Sequence, residues 1–280
     1  MRVAERASND LSGGARWGMT PVARQKATQY ALYGLLVLAA VAFVVGADFR
    51  AIQQSFLNPD IARNMFPEVL TQAAVNTLLY TFTSFIFGLV FGLLLALMRL
   101  SAIAPYRWMA RTYIEFFRAL PALVTILLIG FAVPIAFDVN IPGGTLGKAT
   151  LGLGIVAAAY MAETIRAGIE AVPKGQVEAA RSLGMSGFWT LISIVIPQAF
   201  RIIIPPLTNE LVLLIKDTSL LFVLGTTPAS KELLKFGRDL QNTTFNGTPL
   251  IVVAIVYVAI TLPLTLLVAQ LEKRNKASKA

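Results

Sequence analysis

Four charged side chains interrupt stretches that are otherwise apolar, and they are the residues with which this chain could do chemistry: Glu163, Glu210, Lys216 and Asp217. A charge near the centre of a bilayer costs about 2.5–3.5 kcal/mol on insertion scales, so such residues usually face a protein interior or a watery path. The chain has no histidine and no cysteine, which removes the usual general base and the commonest metal ligands. The sequence therefore predicts binding or passage of a polar solute, with no catalytic residue and no metal site.

The spacing of the polar residues indicates which of them share a helix face. Asn209 and Lys216, seven positions apart, share one face, whereas Glu210 and Lys216, six apart, lie closer to opposite faces. We predict that Glu163 and Asn209 face a common path and contact a zwitterionic substrate, with Glu163 directed toward its ammonium group.

Lys216, Asp217 and Thr218 are expected near the outer end of this path, as gate or packing residues. An equal alternative is that Lys216 and Asp217 extend their charged ends to the membrane surface. Pro205 and Pro206 precede these residues in the same segment, and neither proline has a backbone N–H to donate to a helix hydrogen bond. Irregular backbone at membrane depth is tolerated only where it lines a cavity or is buried in protein, so this segment is a predicted wall of the path.

Composition places these residues in an all-α integral membrane protein. Of the 280 residues, 56% are hydrophobic and only 14% are charged, and the mean hydropathy is +0.69. This apolar share is well above that of an ordinary soluble domain. The net charge of +9 comes from basic residues at the ends of apolar runs, which is typical of membrane topology and argues against a nucleic-acid partner.

The apolar runs predict about six membrane-spanning helices in a multi-pass protein of the lipid bilayer. Residues 1–29 are expected to form a disordered cytoplasmic leader and residues 30–47 an additional first span, before a transmembrane domain over residues 70–275. The later spans are expected at Val69–Met98, Ala119–Phe137, Ala149–Ala162 with Glu163 at its edge, Ile202–Gly225 and Pro249–Leu271.

One further apolar segment, Ser182–Phe200, leaves the number of spans open between six and seven. With six spans, both termini and 16 basic residues face the cytoplasm, against six basic residues outside. The positive-inside rule favours this arrangement. Ser182–Phe200 is then expected to be a helix at the membrane interface that leads into the fifth span.

The longest polar interruption in the second half of the chain is Arg166–Pro197. Pro173 suits the first position of a helix, and Gly184 suits the left-handed residue that ends one. Ser186 can cap a following helix, which Pro197 is expected to break. We therefore predict a short helix, a sharp turn and a second helix along the cytoplasmic face.

The first of these helices has the surface of a docking element. Ala179 and Ala180 are expected to leave one face nearly flat, with Glu178 and Arg181 projecting beside it. The sequence EAARSLG, followed after nine residues by IVIP, resembles the EAA loop of membrane subunits in binding-protein-dependent ABC importers. The residues that the pattern requires are all present: Glu178, Ala179, Ala180, Gly184, Ile194 and Pro197.

Three further segments are similar to the polar amino acid branch of these importers: Tyr113–Val124, Glu163–Gln176 and Pro197–Leu221. The resemblance extends over roughly residues 76–274. It implies an ABC type I importer permease fold in a bacterial inner membrane. It also implies that the loop over about residues 172–197 is a coupling element, docking into an ATPase subunit through these residues: Lys174, Glu178, Ala179, Ala180 and Gly184.

The resemblance implies a set of partners as well. These are two ABC ATPase subunits, a second permease copy or a homologous permease, and an extracellular or periplasmic amino-acid-binding protein. ATP and Mg²⁺ would be bound by the ATPase, so no cofactor is expected on this chain, and the chain itself is not expected to be an enzyme.

The identity of the substrate is left open by the sequence. Where many members read RGTPLLVQ, this chain reads RALPALVT over residues 118–125. Glutamate or aspartate is weakly preferred, with glutamine or a basic amino acid nearly equal. A rival interpretation is an ion-driven secondary transporter that uses the four membrane charges as a relay.

Overall fold

The computed structural model describes residues 21–277, which are helical apart from their connecting turns. The helices are α1 (Pro21–Gly46), α2 (Phe49–Phe56), α3 (Pro59–Asn64), α4 (Val75–Leu100), α5 (Ala104–Ala119), α6 (Ala122–Leu127), α7 (Val133–Phe137), α8 (Thr145–Glu170), α9 (Lys174–Ser182), α10 (Gly187–Thr190), α11 (Ile196–Asp217), α12 (Leu233–Thr244) and α13 (Thr248–Ala277). π-Helical turns at Val69–Ala74, Leu128–Ala132 and Leu191–Val195 join neighbouring helices. The chain divides into two compact units, one ending at Gln53 and the other beginning at Gln54.

The first unit is dominated by α1, which contains the predicted first span. The helix begins at Pro21, so residues 21–29 are helical where a disordered leader was expected. The remainder of that leader, residues 1–20, lies outside the described residues. The large apolar side chains of α1 are exposed, from Tyr30 to Val45, as expected for a helix that faces lipid.

The second unit is built around α8, which packs most closely against α4. Gly88 and Gly92 of α4 permit this approach, since a Cβ on Gly88 would lie 2.9 Å from Ala157 Cβ. A Cβ on Gly92 would lie 3.0 Å from the carbonyl oxygen of Ala158. Gly88 and Gly92, four residues apart, thus form a small-residue face at a helix contact.

α5 and the α6–α7 segment form a bent pair, with an angle of 105° between them. Within residues 21–277, five helices are long and apolar enough to cross a membrane, and the bent pair makes a sixth if it counts as one span. The prediction of about six spans in an all-α membrane protein is thereby confirmed.

The segment before the fifth span differs from the prediction. α10, the π-turn, α11 and a 3-10 helix over Thr218–Val223 form one candidate span from Gly187 to Val223, 37 residues long. Pro197 does not break it, because the π-turn shifts the hydrogen bonding: the N–H of Ile196 bonds Leu191 O, and the Gln198 side chain donates to Ile194 O at 3.0 Å. At about 55 Å this helix exceeds a bilayer core of about 30 Å, so it must tilt strongly or extend beyond the core.

α12 lies between the last two spans and is amphipathic. Its apolar residues Leu233 and Phe236 pack with Met65, Val69 and Val253 in one buried cluster. This cluster ties α12 to α13 and to the beginning of the long helix that contains α4.

Candidate functional site

A cavity of ≈ 240 Å³ lies between the middle of α8, the C-terminal half of α11 and the beginning of α6. Its walls are mainly apolar, with three polar side chains: Tyr160 from α8, and Glu210 and Asp217 from α11. The lining residues of α8 occupy the middle turns of that helix. An apolar cavity with a few convergent polar groups at mid-membrane height is the usual setting of a transport site.

Glu210 and Asp217 are brought together because they are seven residues apart on one face of α11. Both side chains are half-buried, and a negative charge on Asp217 acts on Glu210. Arg118, at the end of α5, acts on Glu210 with the opposite sign. Its guanidinium lies over the Tyr160 ring, 5.5 Å from the centroid. The cavity can therefore offer two carboxylates to a cationic group and one guanidinium to an anionic group.

The predicted substrate residue Glu163 lies elsewhere, near the end of α8. Its carboxylate pairs with Arg166, whose Nε donates to Oε2 at 3.1 Å, and Arg166 also pairs with Glu170. Arg99 and Arg118 are close enough to act on the Glu163 charge. In this conformation Glu163 is thus held by guanidinium groups and is not among the residues that line the cavity.

The other predicted path residues are distributed around α11. Asn209 and Lys216 are exposed, and Lys216 borders a groove between α11 and α13 together with Tyr257. Thr218 is fully buried and donates to Ile215 O at 2.6 Å. Of the five residues predicted for the path, only Asp217 lines the cavity, together with Glu210, the fourth of the membrane charges. Substrate contact by Glu163, Asn209, Lys216 and Thr218 stays a prediction.

The predicted docking helix α9 is present and directly follows the C-terminal end of α8. Lys174, Glu178 and Ala179 are exposed, but Ala180 is only 5% exposed. Ala180 faces inward, where α9 contacts the π-turn before α11. The expectation that Ala180 belongs to an outward, flat face is therefore wrong; Ala180 lets α9 pack closely on the bundle.

The end of α9 has the predicted cap. Gly184 adopts φ +84°, the N–H of Gly184 bonds Arg181 O at 3.0 Å, and the N–H of Met185 bonds Ala180 O at 3.1 Å. This pair of bonds is a Schellman motif, which requires a left-handed residue that glycine adopts without steric cost. Ser186 caps the next helix, accepting from the N–H of Trp189 at 3.4 Å.

A buried carboxylate that the sequence reasoning did not single out lies at the opposite end of the bundle. Glu232 is 1% exposed and caps α12. It accepts from the N–H groups of Leu234 and Lys235, each at 2.6 Å, and from the Tyr257 hydroxyl at 3.1 Å. Its sequence signal is weak, because glutamate is not a preferred N-cap residue.

We expect Glu232 to make folding stability depend on pH. Burial raises the pKa of the Glu232 carboxyl to about 7, although the Leu234 and Lys235 amides, the Tyr257 hydroxyl and the Lys235 charge favour ionisation. The unfolded carboxyl ionises near its ordinary value of 4.5, so the stability contributed by this group is complete below pH 4.5 and is lost as pH rises through 7. The loss is on the order of 3 kcal/mol.

Thermal unfolding followed by tryptophan fluorescence between pH 4.5 and 8 measures this effect. Glu232→Gln should remove the fall in unfolding temperature across that window, whereas Glu115→Gln, at an exposed position, should retain it. An unchanged pH profile in Glu232→Gln would contradict the assignment.

A bundle of membrane-spanning helices with a cavity at mid-height and an exposed, capped helix at one end defines the class as a multi-pass transport protein. The chain belongs to the family of binding-protein-dependent transport system inner membrane components, whose model matches residues 88–277. Members of this family are transport subunits rather than enzymes. The resemblance seen in the EAA loop is confirmed.

Curated relatives include permeases for several amino acids. An arginine transport system permease of Corynebacterium glutamicum is 36% identical over 68% of this chain and 62% of its own length. An L-cystine transport system permease of Bacillus subtilis is 40% identical over 58% of this chain and 68% of its own. A glutamate/aspartate import permease of Escherichia coli O157:H7 is 35% identical over 74% of this chain and 93% of its own.

Solved structures agree with the fold. A crystal structure of an amino acid ABC transporter with histidines matches with a TM-score of 0.68 at 36% identity, covering 75% of this chain and 95% of that chain. A bacterial ABC transporter for the acidic polysaccharide alginate matches with a TM-score of 0.63, covering 90% and 98% of the two chains. At 17% identity this second match shows the fold alone.

Proposed function

We propose that this chain forms the translocation path for a polar amino acid in an ATP-driven importer of a bacterial inner membrane. The observation that carries the proposal is the cavity between α8 and α11, whose two carboxylates and nearby guanidinium suit the charged groups of an amino acid. Its volume of ≈ 240 Å³ is enough for one amino acid.

The coupling to ATP is assigned to α9. Two ATPase subunits hold the nucleotide and Mg²⁺, and α9 of each permease docks into one of them through Lys174, Glu178 and Ala179. A second permease copy or a homologous permease packs against α8 and α11, and an external binding protein delivers the substrate. Both termini lie in the cytoplasm in this arrangement, as the distribution of basic residues favours.

The charges that line the cavity favour some amino acids as substrate over others. Glu210 and Asp217 repel an acidic side chain, whereas a basic amino acid gains a second favourable charge interaction there. We therefore place a basic amino acid ahead of glutamine, and glutamine ahead of the glutamate or aspartate weakly preferred from sequence.

ATP hydrolysis by the assembled complex in nanodiscs, with binding protein and single amino acids added in turn, tests this proposal. Basic amino acids should stimulate hydrolysis most and acidic ones least. Greatest stimulation by glutamate would overturn the charge argument while leaving the transport class intact. No stimulation by any amino acid would contradict the transport class itself.

A further inference from the structure

A groove with three guanidinium groups lies where α4 ends and α5 begins. Its volume is ≈ 570 Å³, and it is lined by Arg99, Ala104, Pro105, Arg107, Trp108 and Arg111. The amino acid path and the docking helix use none of these residues. We propose that this groove binds the phosphate group of an anionic phospholipid in the cytoplasmic leaflet.

Two of the three arginines of the groove form no ion pair in the part of the chain that the structure describes. Among the described residues, Arg111 pairs with Glu115, with Nε and Oε1 2.6 Å apart; Arg99 acts on the Glu163 charge without pairing with it, and Arg107 forms no ion pair. Arg107 donates to the carbonyl oxygens of Ser101 and Ala102 at 3.0 and 2.6 Å. These carbonyl groups fix the guanidinium in position but leave its charge free to attract an anion.

The position of the groove argues that the anion is a lipid headgroup. Arg99 is in the last turn of α4, and the turns before it expose large apolar side chains, Leu93, Leu94 and Leu97, each 46–53% exposed. A headgroup lies where such a lipid-facing surface ends. The basic residues of this connection also place it on the cytoplasmic side, where juxtamembrane arginines attract anionic lipids.

α5 has the composition of a helix lying at that interface. It is amphipathic, and its exposed side chains combine the basic Arg107 and Arg111 with Trp108, which is 72% exposed, and Met109, which is 58% exposed. Tryptophan is enriched at headgroup level, and basic amphipathic helices bind anionic membrane surfaces. The 105° bend after α5 fits a change from lying at the surface to crossing the membrane.

Trp108 makes the proposal directly measurable, because it lies in the groove itself. The full chain with Trp17 and Trp189 replaced by phenylalanine reports on Trp108 alone. In phosphatidylcholine nanodiscs, brominated phosphatidylglycerol should half-quench Trp108 at a mole fraction about tenfold lower than brominated phosphatidylcholine does. Equal quenching by the two lipids would overturn the proposal.

Matched variants distinguish lipid binding by the groove from a general effect of the positive charge of the chain. At about a fivefold effect per arginine near the surface, R107A/R111A should remove most of the preference for phosphatidylglycerol, and R107K/R111K should retain most of it. R50A/R63A removes the same charge at positions outside the groove and should have no effect. An unchanged preference in R107A/R111A would contradict the proposal; if that variant does not fold, R107Q and R111Q singly give the same test.

Two other occupants are distinguished in the same assay. Displacement of brominated phosphatidylglycerol by 10 mM inorganic phosphate (roughly a phosphate-buffer level) would indicate a site for a free anion. Displacement by added ATPase subunits would indicate a protein contact. Either result would overturn the lipid assignment, which predicts quenching unchanged by both; the assay involves no transport and is independent of the proposed function.

Discussion

Replacing Gly184 with valine is expected to reduce binding of the ATPase to the permease by at least about tenfold while leaving membrane insertion intact. Gly184 has φ +84°, with nothing within 4 Å of a Cβ built on it, so the cost is backbone strain and not a clash. A β-branched residue in that conformation costs on the order of 1–3 kcal/mol. Relief of the strain would open the Schellman motif and turn α9 away from its docking orientation.

Co-purification of the ATPase with tagged permease measures this loss. Gly184→Asn should bind almost normally, because asparagine tolerates the left-handed region. Gly144→Val is a matched control: Gly144 also has a positive φ, +58°, and open space around it, but it precedes α8 at the opposite end of that helix. Equal loss of ATPase binding in Gly144→Val and Gly184→Val would show general destabilisation and contradict a docking role for α9.

Removing the negative charges of the cavity is expected to cause a large loss of substrate uptake. Glu210→Gln and Asp217→Asn preserve side-chain shape but remove the two negative charges of the cavity. Each should lower the uptake of a basic amino acid about tenfold or more, a loss of roughly 1.4 kcal/mol or greater in substrate interaction. The reason is that a cationic substrate in a mostly apolar cavity loses its compensating charge.

Uptake by reconstituted complexes measures this effect, with Asp138→Asn as the control, since Asp138 is exposed in the turn between α7 and α8 and lies outside the cavity. Wild-type uptake in both cavity variants would contradict the placement of the substrate. Glu163→Gln and Asn209→Ala test the pair favoured by sequence: normal uptake and normal substrate-stimulated ATP hydrolysis in both would exclude that pair.

The sequence was sufficient to predict features that depend only on residues close together in the chain. The α9 helix and its end follow from Gly184 and Ser186, whose capping bonds lie within a few residues. The close approach of α4 and α8 depends on Gly88 and Gly92, which lie four residues apart on one helix face. In each case the relevant residues are near one another in sequence, or share a face that small residues alone identify.

Contacts between segments that are distant in sequence decide the features that the sequence did not predict. Ala180 faces inward because α9 packs on the turn before α11, which the sequence of α9 does not specify. Pro197 continues a helix because a π-turn precedes it. Asn209 and Lys216 are seven residues apart, and so are Glu210 and Asp217, so helical spacing alone does not favour one pair over the other. Only the position of α8 shows that the face with Glu210 and Asp217 borders the cavity.

Uptake of radiolabelled amino acids into proteoliposomes tests whether transport by this chain depends on ATP. The chain would be reconstituted alone or with its ATPase subunits, with binding protein and substrate outside the membrane and ATP at the ATPase. We expect ATP-dependent accumulation by the assembled complex, and none by the chain alone under an imposed proton or sodium gradient. Gradient-driven accumulation by the chain alone would contradict this expectation and favour the ion-driven transporter.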